Sequence, residues 1–257
     1  MDGVYDAGVT HCGLSRTEVF ILLQTFFRAG LIFALFMAGA QAQTVAVDIG
    51  HTLAASGATS ARGRSEFEFN RDLAWQLVSA LRERGLTVRV INADGEIPSL
   101  RARPAQAAAE GAELFISIHH DSVSAHELQP WTWNDLALDF NDEFAGHSLF
   151  VSRENPDLPR SLLCARVAGA RLQRLGFVPT HKNARRRPYA DATHAVHYYD
   201  GLAVLRHATM PALLFEAGVI KHRDEELLLR DPMRQARMAD GIATAIAACL
   251  RNGDPVR

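Results

Sequence analysis

A chain of 257 residues, 48% hydrophobic and 22% charged, has the length and composition of one soluble domain or at most two small ones. Disordered and collagen-like classes are excluded. The formal net charge of −2 gives no basis for nucleic-acid binding, which needs a net or clustered positive surface to release counterions. All of the basic residues except Lys182 and Lys221 are arginine.

The first element in chain order is an apolar stretch, residues 19–42, interrupted by Arg28 and ending in Ala38-Gly39-Ala40-Gln41-Ala42. An apolar core at Leu31 to Met37 followed by an A-x-A pattern predicts a secretory signal peptide over residues 1–42, cut after Ala42. From Ala29 the run is about 12 residues, short of the roughly 20 that span a bilayer. The expected location is therefore across the inner membrane, in the periplasm, with no stable membrane anchor after cleavage. The segment before Arg28 is long and poor in positive charge for an n-region, which points to a start codon further downstream. Cys12 precedes the apolar core, where a lipid-modified cysteine would not lie. Cys164 and Cys249 fall in helix-like stretches of the mature chain, residues 43–257. They read either as two buried apolar thiols or, in an oxidising compartment, as a single disulfide.

From Thr44 short apolar runs alternate with amphipathic helical ones, the pattern of an α/β domain. Strands are expected at Val45 to Ile49, Thr87 to Ile91, Leu114 to Ile118, Ser148 to Val151, Leu202 to Leu205 and Ala212 to Phe215. Helices are expected over Phe67 to Arg84, from about Arg103 to Glu110, from Arg160 to Leu175, from Asp224, and over Met233 to Leu250. In the first helix Phe69, Leu73, Leu77 and Leu81 share one face and Gly85 supplies the C-cap. The sum is a single three-layer α/β domain with a mostly parallel central sheet flanked by helices. Two segments break the rhythm and are expected as long loops: an insertion at about 122–146, with Trp131, Trp133 and several acids, and residues 177–201, rich in His and Arg.

In such sheets ligands gather where loops leave the carboxyl ends of strands. The first strand ends in Gly50-His51, the third in His119-His120, and the last in Glu216-Ala217-Gly218. Parallel strands would bring these ionisable groups to one sheet edge, together with Glu66, as in a mononuclear metal site.

The motifs that carry these residues resemble those of the zinc-dependent N-acetylmuramoyl-L-alanine amidases, cell-wall hydrolases with a catalytic domain of the amidase-3 type. Seven occur in order: Asp48, Gly50 and His51 at the end of the first strand; Gly57-Ala58; Glu66 and Asn70; Ser99, Leu100 and Arg103; Leu114 to His119; Val204 to Arg206; and Met210 to Gly218. The resemblance runs from Val45 to the last helix. It implies that His51, Glu66 and His119 are ligands of one Zn2+ per chain and that Glu216 is the catalytic carboxylate. Two imidazoles and a carboxylate leave an open position for water, as a hydrolytic rather than a structural site requires. The activity implied is peptidoglycan hydrolysis at the amide between N-acetylmuramic acid and L-alanine, with intact peptidoglycan or its muropeptide fragments as partner.

The sequence departs from the family where the usual glycine-rich stretch is replaced by His51-Thr52-Leu53-Ala54-Ala55-Ser56, and where His120-Asp121 follows the second histidine. The 122–146 insertion admits three readings: a lid that gates the metal and calls for an activator protein, a sugar-stacking platform on Trp131 and Trp133, or a surface excursion. His194 and His197 are expected in a polar loop near the substrate groove. Two rivals accompany the amidase reading, a zinc peptidase on a similar scaffold and a non-catalytic cell-wall binding or regulatory protein.

Overall fold

The structure is a computed structural model that describes Gly3 and residues 42–251; apart from Gly3 and Ala42 the predicted signal peptide lies outside the described residues. Among the described residues nine strands and six α-helices follow in chain order: β1 (Thr44–Ile49), α1 (Glu66–Arg82), β2 (Thr87–Ile91), α2 (Ala102–Ala109), β3 (Leu114–Asp121), β4 (Gln129–Trp133), β5 (Leu136–Phe140), β6 (Ser148–Val151), α3 (Leu158–Arg174), β7 (Tyr189–Asp191), β8 (Val196–Tyr198), α4 (Ala203–Arg206), β9 (Ala212–Val219), α5 (Arg223–Leu229) and α6 (Pro232–Arg251). Seven strands form one sheet in the order β2-β1-β3-β9-β6-β8-β7, and β4 with β5 forms a separate hairpin. β1 to β3 and β9 run parallel, β6 lies antiparallel on β9, β8 is parallel to β6, and β7 closes the edge antiparallel.

The central strands are buried on both faces, since Val45, Val47, Ile49, Ile116, Ile118 and Phe215 on one face and Ala46, Phe115 and Ala212 on the other are closed to solvent. Such near-continuous apolar runs are what a parallel sheet covered by helices requires. The larger core packs α1, α3 and α6 on one face. The smaller one sets Ala107 of α2 with Val204 and Leu205 of α4 against Ala46, Phe115 and Leu214 on the other. Helix α1 starts where Glu68 Oε2 accepts from Ser65 N (3.2 Å) and ends before Gly85, whose φ of +77° suits a glycine C-cap. Its predicted face is the buried one: Phe69, Leu73, Leu77 and Leu81 are at most 1% exposed, each contributing about 1.5–3 kcal/mol. Cys164 of α3 and Cys249 of α6 form a disulfide with Cα atoms 5.3 Å apart, which decides between the two cysteine readings.

Three expectations need correction. Leu202 to Leu205 is not a strand: Leu205 N and Arg206 N both donate to Leu202 O, making the helical turn α4. Periodicity cannot separate helix from strand in so short an apolar run. The 177–201 segment is not a structureless loop, because it contributes β7 and β8 to the sheet edge. The 122–146 insertion carries the β4–β5 hairpin, turned by Asn134 and Asp135 with φ of +48° and +63°, a two-residue turn with left-handed backbone at both positions.

Candidate active site

The site is built at the carboxyl ends of β1, β3 and β9. Beyond β1 the chain turns sharply at His51, whose φ is +68°. A left-handed non-glycine residue costs about 1–2 kcal/mol, and here backbone contacts hold it in place. Asn92 Nδ2 donates to Ile49 O and His51 O, both at 2.7 Å. Arg103 Nη2 donates to His51 O (2.5 Å) and Nη1 to Ile49 O (3.1 Å). Arg103 is 1% exposed and is paired with Asp48 at 3.5 Å, while Ser117 Oγ donates to Asp48 Oδ2 across β1 and β3 (2.6 Å). The Asp48 and Arg103 motif positions thus form the support under the first predicted ligand.

His51, Glu66 and His119 come together as predicted. Each offers a ligand atom, and these atoms lie within 4.8 Å of one another. His51 Nε2 and His119 Nδ1 are both 3.0 Å from Glu66 Oε1, and the two rings meet edge to face with centroids 4.9 Å apart. Glu66 opens α1 and its Oε2 accepts from Ala58 N (3.1 Å). Burial pushes its carboxyl up, but hydrogen bonds to His119 and His51 outweigh this and hold it well below the ordinary carboxylate range. Two glycines make the cradle. A Cβ on Gly50 would sit 2.3 Å from His119 Nε2, and one on Gly57 would sit 2.5 Å from Glu66 Oε2. Two nitrogens and one carboxylate oxygen converging on a space that no side chain fills fit a metal ion.

Alternation along β3 separates its two histidines. His119 joins the cluster, whereas His120 is buried, tilted against Phe69, with Nδ1 donating to Asn70 Oδ1 (2.8 Å). Asn70 Nδ2 in turn donates to Gly50 O (3.2 Å) and Glu66 Oε1 (3.4 Å). Burial pushes the His120 imidazole down to about 3, so it stays neutral and serves to orient Asn70 and Glu66 rather than to bind metal.

Glu216 is the register partner of His119 across β3 and β9. Beyond this pair three residues of β9 face two of β3, a bulge of the kind that re-aims side chains beside active sites. Glu216 Oε2 is shut off from solvent and has no hydrogen-bond partner among the described residues. Burial first, then the negative charges of Asp121 and Glu66, raise its carboxyl well above the ordinary value. Two hollows meet there. One of about 330 Å³ is lined by His51, Glu66, His119 and Glu216 with Leu100, Leu202 and Leu214. The other, of about 260 Å³, is lined by Lys182, Arg185, Arg186 and Arg187 with Tyr199 and Glu216.

The insertion does not enter the cluster. Trp131 Nε1 donates to Ala61 O (2.8 Å), Trp131 and Trp133 stack at 5.5 Å, and Arg62 lies 4.7 Å from the Trp133 ring. Asp142 pairs with Arg223 (2.5 Å). Among the described residues His51, Glu66 and His119 are the one group suited to a metal, so no acid of the insertion caps it. His194 pairs with Asp191 beside a separate hollow. His197 lies buried in β8, stacked on Tyr189 at 4.6 Å. The expectation of a polar loop at the groove fails for His197, which β8 takes into the sheet edge; His194 does lie in a turn, between β7 and β8, but beside a different hollow. Sequence reasoning missed Asn92 and the role of His120; neither sits in a local pattern, and only the fold shows their partners.

An enclosed carboxylate with a raised affinity for its proton, on the strand next to three metal-capable groups, suits the hydrolysis of a polarised carbonyl bond, and the fold and site together define a hydrolase. Residues 45–248 match the Amidase_3 model described as N-acetylmuramoyl-L-alanine amidase, and the chain belongs to that family. It is therefore an amidase of the peptidoglycan-hydrolase class, which sets aside the peptidase and non-catalytic readings. Among curated protein sequences none matches. Solved structures do. The catalytic domain of the amidase CwlV from Bacillus (Paenibacillus) polymyxa var. colistinus is 26% identical with a TM-score of 0.63, covering 81% of this chain and 98% of that one. An N-acetylmuramoyl-L-alanine amidase from Clostridium difficile 630 is 21% identical with a TM-score of 0.67, covering 84% and 100%. The CwlD amidase from Clostridioides difficile, solved in complex with the GerS lipoprotein, is 18% identical with a TM-score of 0.63, covering 82% and 99%. The last two share the fold. No helix among the described residues is long and apolar enough to cross a membrane.

Proposed function

We propose that the chain cleaves the amide between N-acetylmuramic acid and L-alanine of the stem peptide, with one Zn2+ held by His51, Glu66 and His119 and with Glu216 as general base and acid. The observation that carries this reading is the position of Glu216, opposite His119 with an enclosed, unpartnered carboxylate oxygen. When bound, zinc supplies Lewis acidity that makes water a nucleophile near neutral pH and polarises the scissile carbonyl. Glu216 takes the proton of the attacking water and returns it to the departing amine of L-alanine. Its raised affinity for that proton matches the task, because a base that ionises too readily would not hold the proton until the amine leaves. Asn70, Arg103 and Asn92 keep the ligands oriented, and the lining of Leu100, Leu202 and Leu214 limits water on the metal side.

We propose export to the periplasm, with the signal peptide 1–42 removed. Supporting this are a disulfide between Cys164 and Cys249, which persists in oxidising compartments, and a substrate that lies in the cell wall. The test is digestion of purified muropeptides by wild type, Glu216→Gln and His51→Ala proteins. Wild type is expected to release free stem peptides beginning with L-alanine; Glu216→Gln is expected to keep zinc and lose activity about 10²–10⁴-fold; His51→Ala is expected to lose zinc. Release of single terminal amino acids instead of whole stem peptides would overturn the reading.

A further inference from the structure

We propose that Arg187 is the anchor for a carboxylate of the stem peptide, placing the peptide in the cationic hollow and the muramoyl group in the apolar one; the proposal rests on the amidase reading and names the half of the substrate that each hollow takes.

The two hollows share Glu216, Asp121, Ser122 and Leu202, so a substrate whose scissile amide lies at Glu216 extends one way into each. Their chemistry is opposite. Besides the candidate ligands and Glu216, the metal side has leucine, valine and alanine walls, and its one arginine, Arg103, is already paired with Asp48. The other side carries Lys182 and three consecutive arginines. The glycan half of the substrate is uncharged at the muramoyl group. The peptide half is acidic, because the glutamate after L-alanine is linked through its side chain and leaves its α-carboxylate free. Charge complementarity assigns the peptide to the cationic side.

Two of the four cations there are already committed. Lys182 pairs with Asp121 at 2.8 Å and Arg185 with Glu127 at 2.5 Å. Arg186 is exposed at the rim. Arg187 is half-buried, has no carboxylate partner among the described residues, and its Nε is closed to solvent with no hydrogen-bond acceptor. Its guanidinium lies 3.8 Å from the Tyr199 ring centroid and 5.7 Å from that of Phe150. Stacking uses the face of the guanidinium, and with Nε enclosed the two Nη groups are the part that grips a carboxylate bidentately. A guanidinium held in one orientation, facing in its hollow no unpaired acid except the Glu216 carboxylate that burial keeps reluctant to ionise, is a preformed carboxylate site.

The test is calorimetric titration of the zinc-loaded protein with the stem tripeptide that has a free glutamate α-carboxylate, and with the same peptide amidated at that carboxyl. Wild type is expected to bind the free acid about tenfold more tightly, the equivalent of one charge-assisted hydrogen-bonded pair. Arg187→Gln is expected to abolish the difference, Arg187→Lys to restore part of it, and Arg186→Gln to change it little. Equal binding of the two peptides by wild type, no measurable binding of either, or a preference that survives in Arg187→Gln overturns the assignment. The wild-type comparison requires no variant to fold. Muropeptide hydrolysis is measured beside it. Hydrolysis without carboxylate preference removes the Arg187 site alone, whereas preference without hydrolysis supports the site and removes the amidase mechanism.

Discussion

Gly50→Ala is expected to remove the metal without unfolding the chain. Gly50 does not have a positive φ, so alanine brings no left-handed strain there. The added Cβ would nevertheless lie 2.3, 2.4 and 2.6 Å from Nε2, Cε1 and Cδ2 of His119. Ordinary contact begins at 3.4 Å, so the imidazole must retreat by about 1.1 Å. Ligand positions in a working site tolerate only about 0.2 Å, and disturbance of the residues that orient ligands typically costs about 10–100-fold in metal affinity. The expected result is therefore a fall in zinc affinity of about tenfold to a hundredfold, read by competition against a chelating dye. Amidase activity should drop at limiting zinc and recover in excess. Gly85→Ala is the control: φ is +77° but nothing lies within 4 Å of the added Cβ, so it should cost about 1 kcal/mol of stability and leave zinc binding unchanged. If Gly50→Ala held zinc as tightly as wild type, or lost it only together with its circular dichroism spectrum, the cradle argument would be refuted.

Four further outcomes are expected. The acid limb of the pH–rate profile should lie above the range of an ordinary glutamate, because activity needs ionised Glu216 and is lost as pH falls through its raised value; a limb at pH 4 or below contradicts this. His147 is buried and its imidazole is pushed down to about 4 by burial. Its neutral form stabilises the fold fully above pH 6.5, and up to about 3 kcal/mol should be lost as pH drops from 6.5 to 4; urea titrations should show that component missing in His147→Leu. Replacing Cys164 and Cys249 by serine should lower stability by about 2–4 kcal/mol with zinc content unchanged in the folded protein. Replacing residues 129–140 by a short linker should leave muropeptide hydrolysis within about twofold, since none of the hairpin's acids joins the metal cluster; a large gain would reinstate a gate.

What could be read from the sequence follows from how much pattern each element carries. β1, β3 and β9 are apolar runs long enough to announce themselves, and α1 repeats its buried face over four turns. β7 and β8 have three residues each, too few for an alternation, and α4 is a single apolar turn whose helical state depends on Leu202 O receiving two donors. The four proposed site residues were legible because each sits at the carboxyl end of a recognisable strand or opens a helix, within motifs that resemble those of the amidases. Asn92 was not. Its importance lies in two carbonyls more than forty residues away in sequence, a relation with no local trace. Arg187 was visible only as one of several arginines, since the committed ones are distinguished by acids that the fold brings to them.

The adjacent histidines of β3 turn strand register into a chemical choice. A slip of one residue would exchange them, sending His119 under α1 and His120 into the cavity, and both products would present an imidazole. They would not be equivalent. The slipped chain would break the Ser117–Asp48 bond between β3 and β1 and remove the donor that Asn70 takes from His120. Polar pairs buried on either side of the double histidine thus act as proofreading contacts: they make the misaligned sheet costly even though its apolar pattern is nearly as good, and they couple correct assembly of the core to the identity of the ligand.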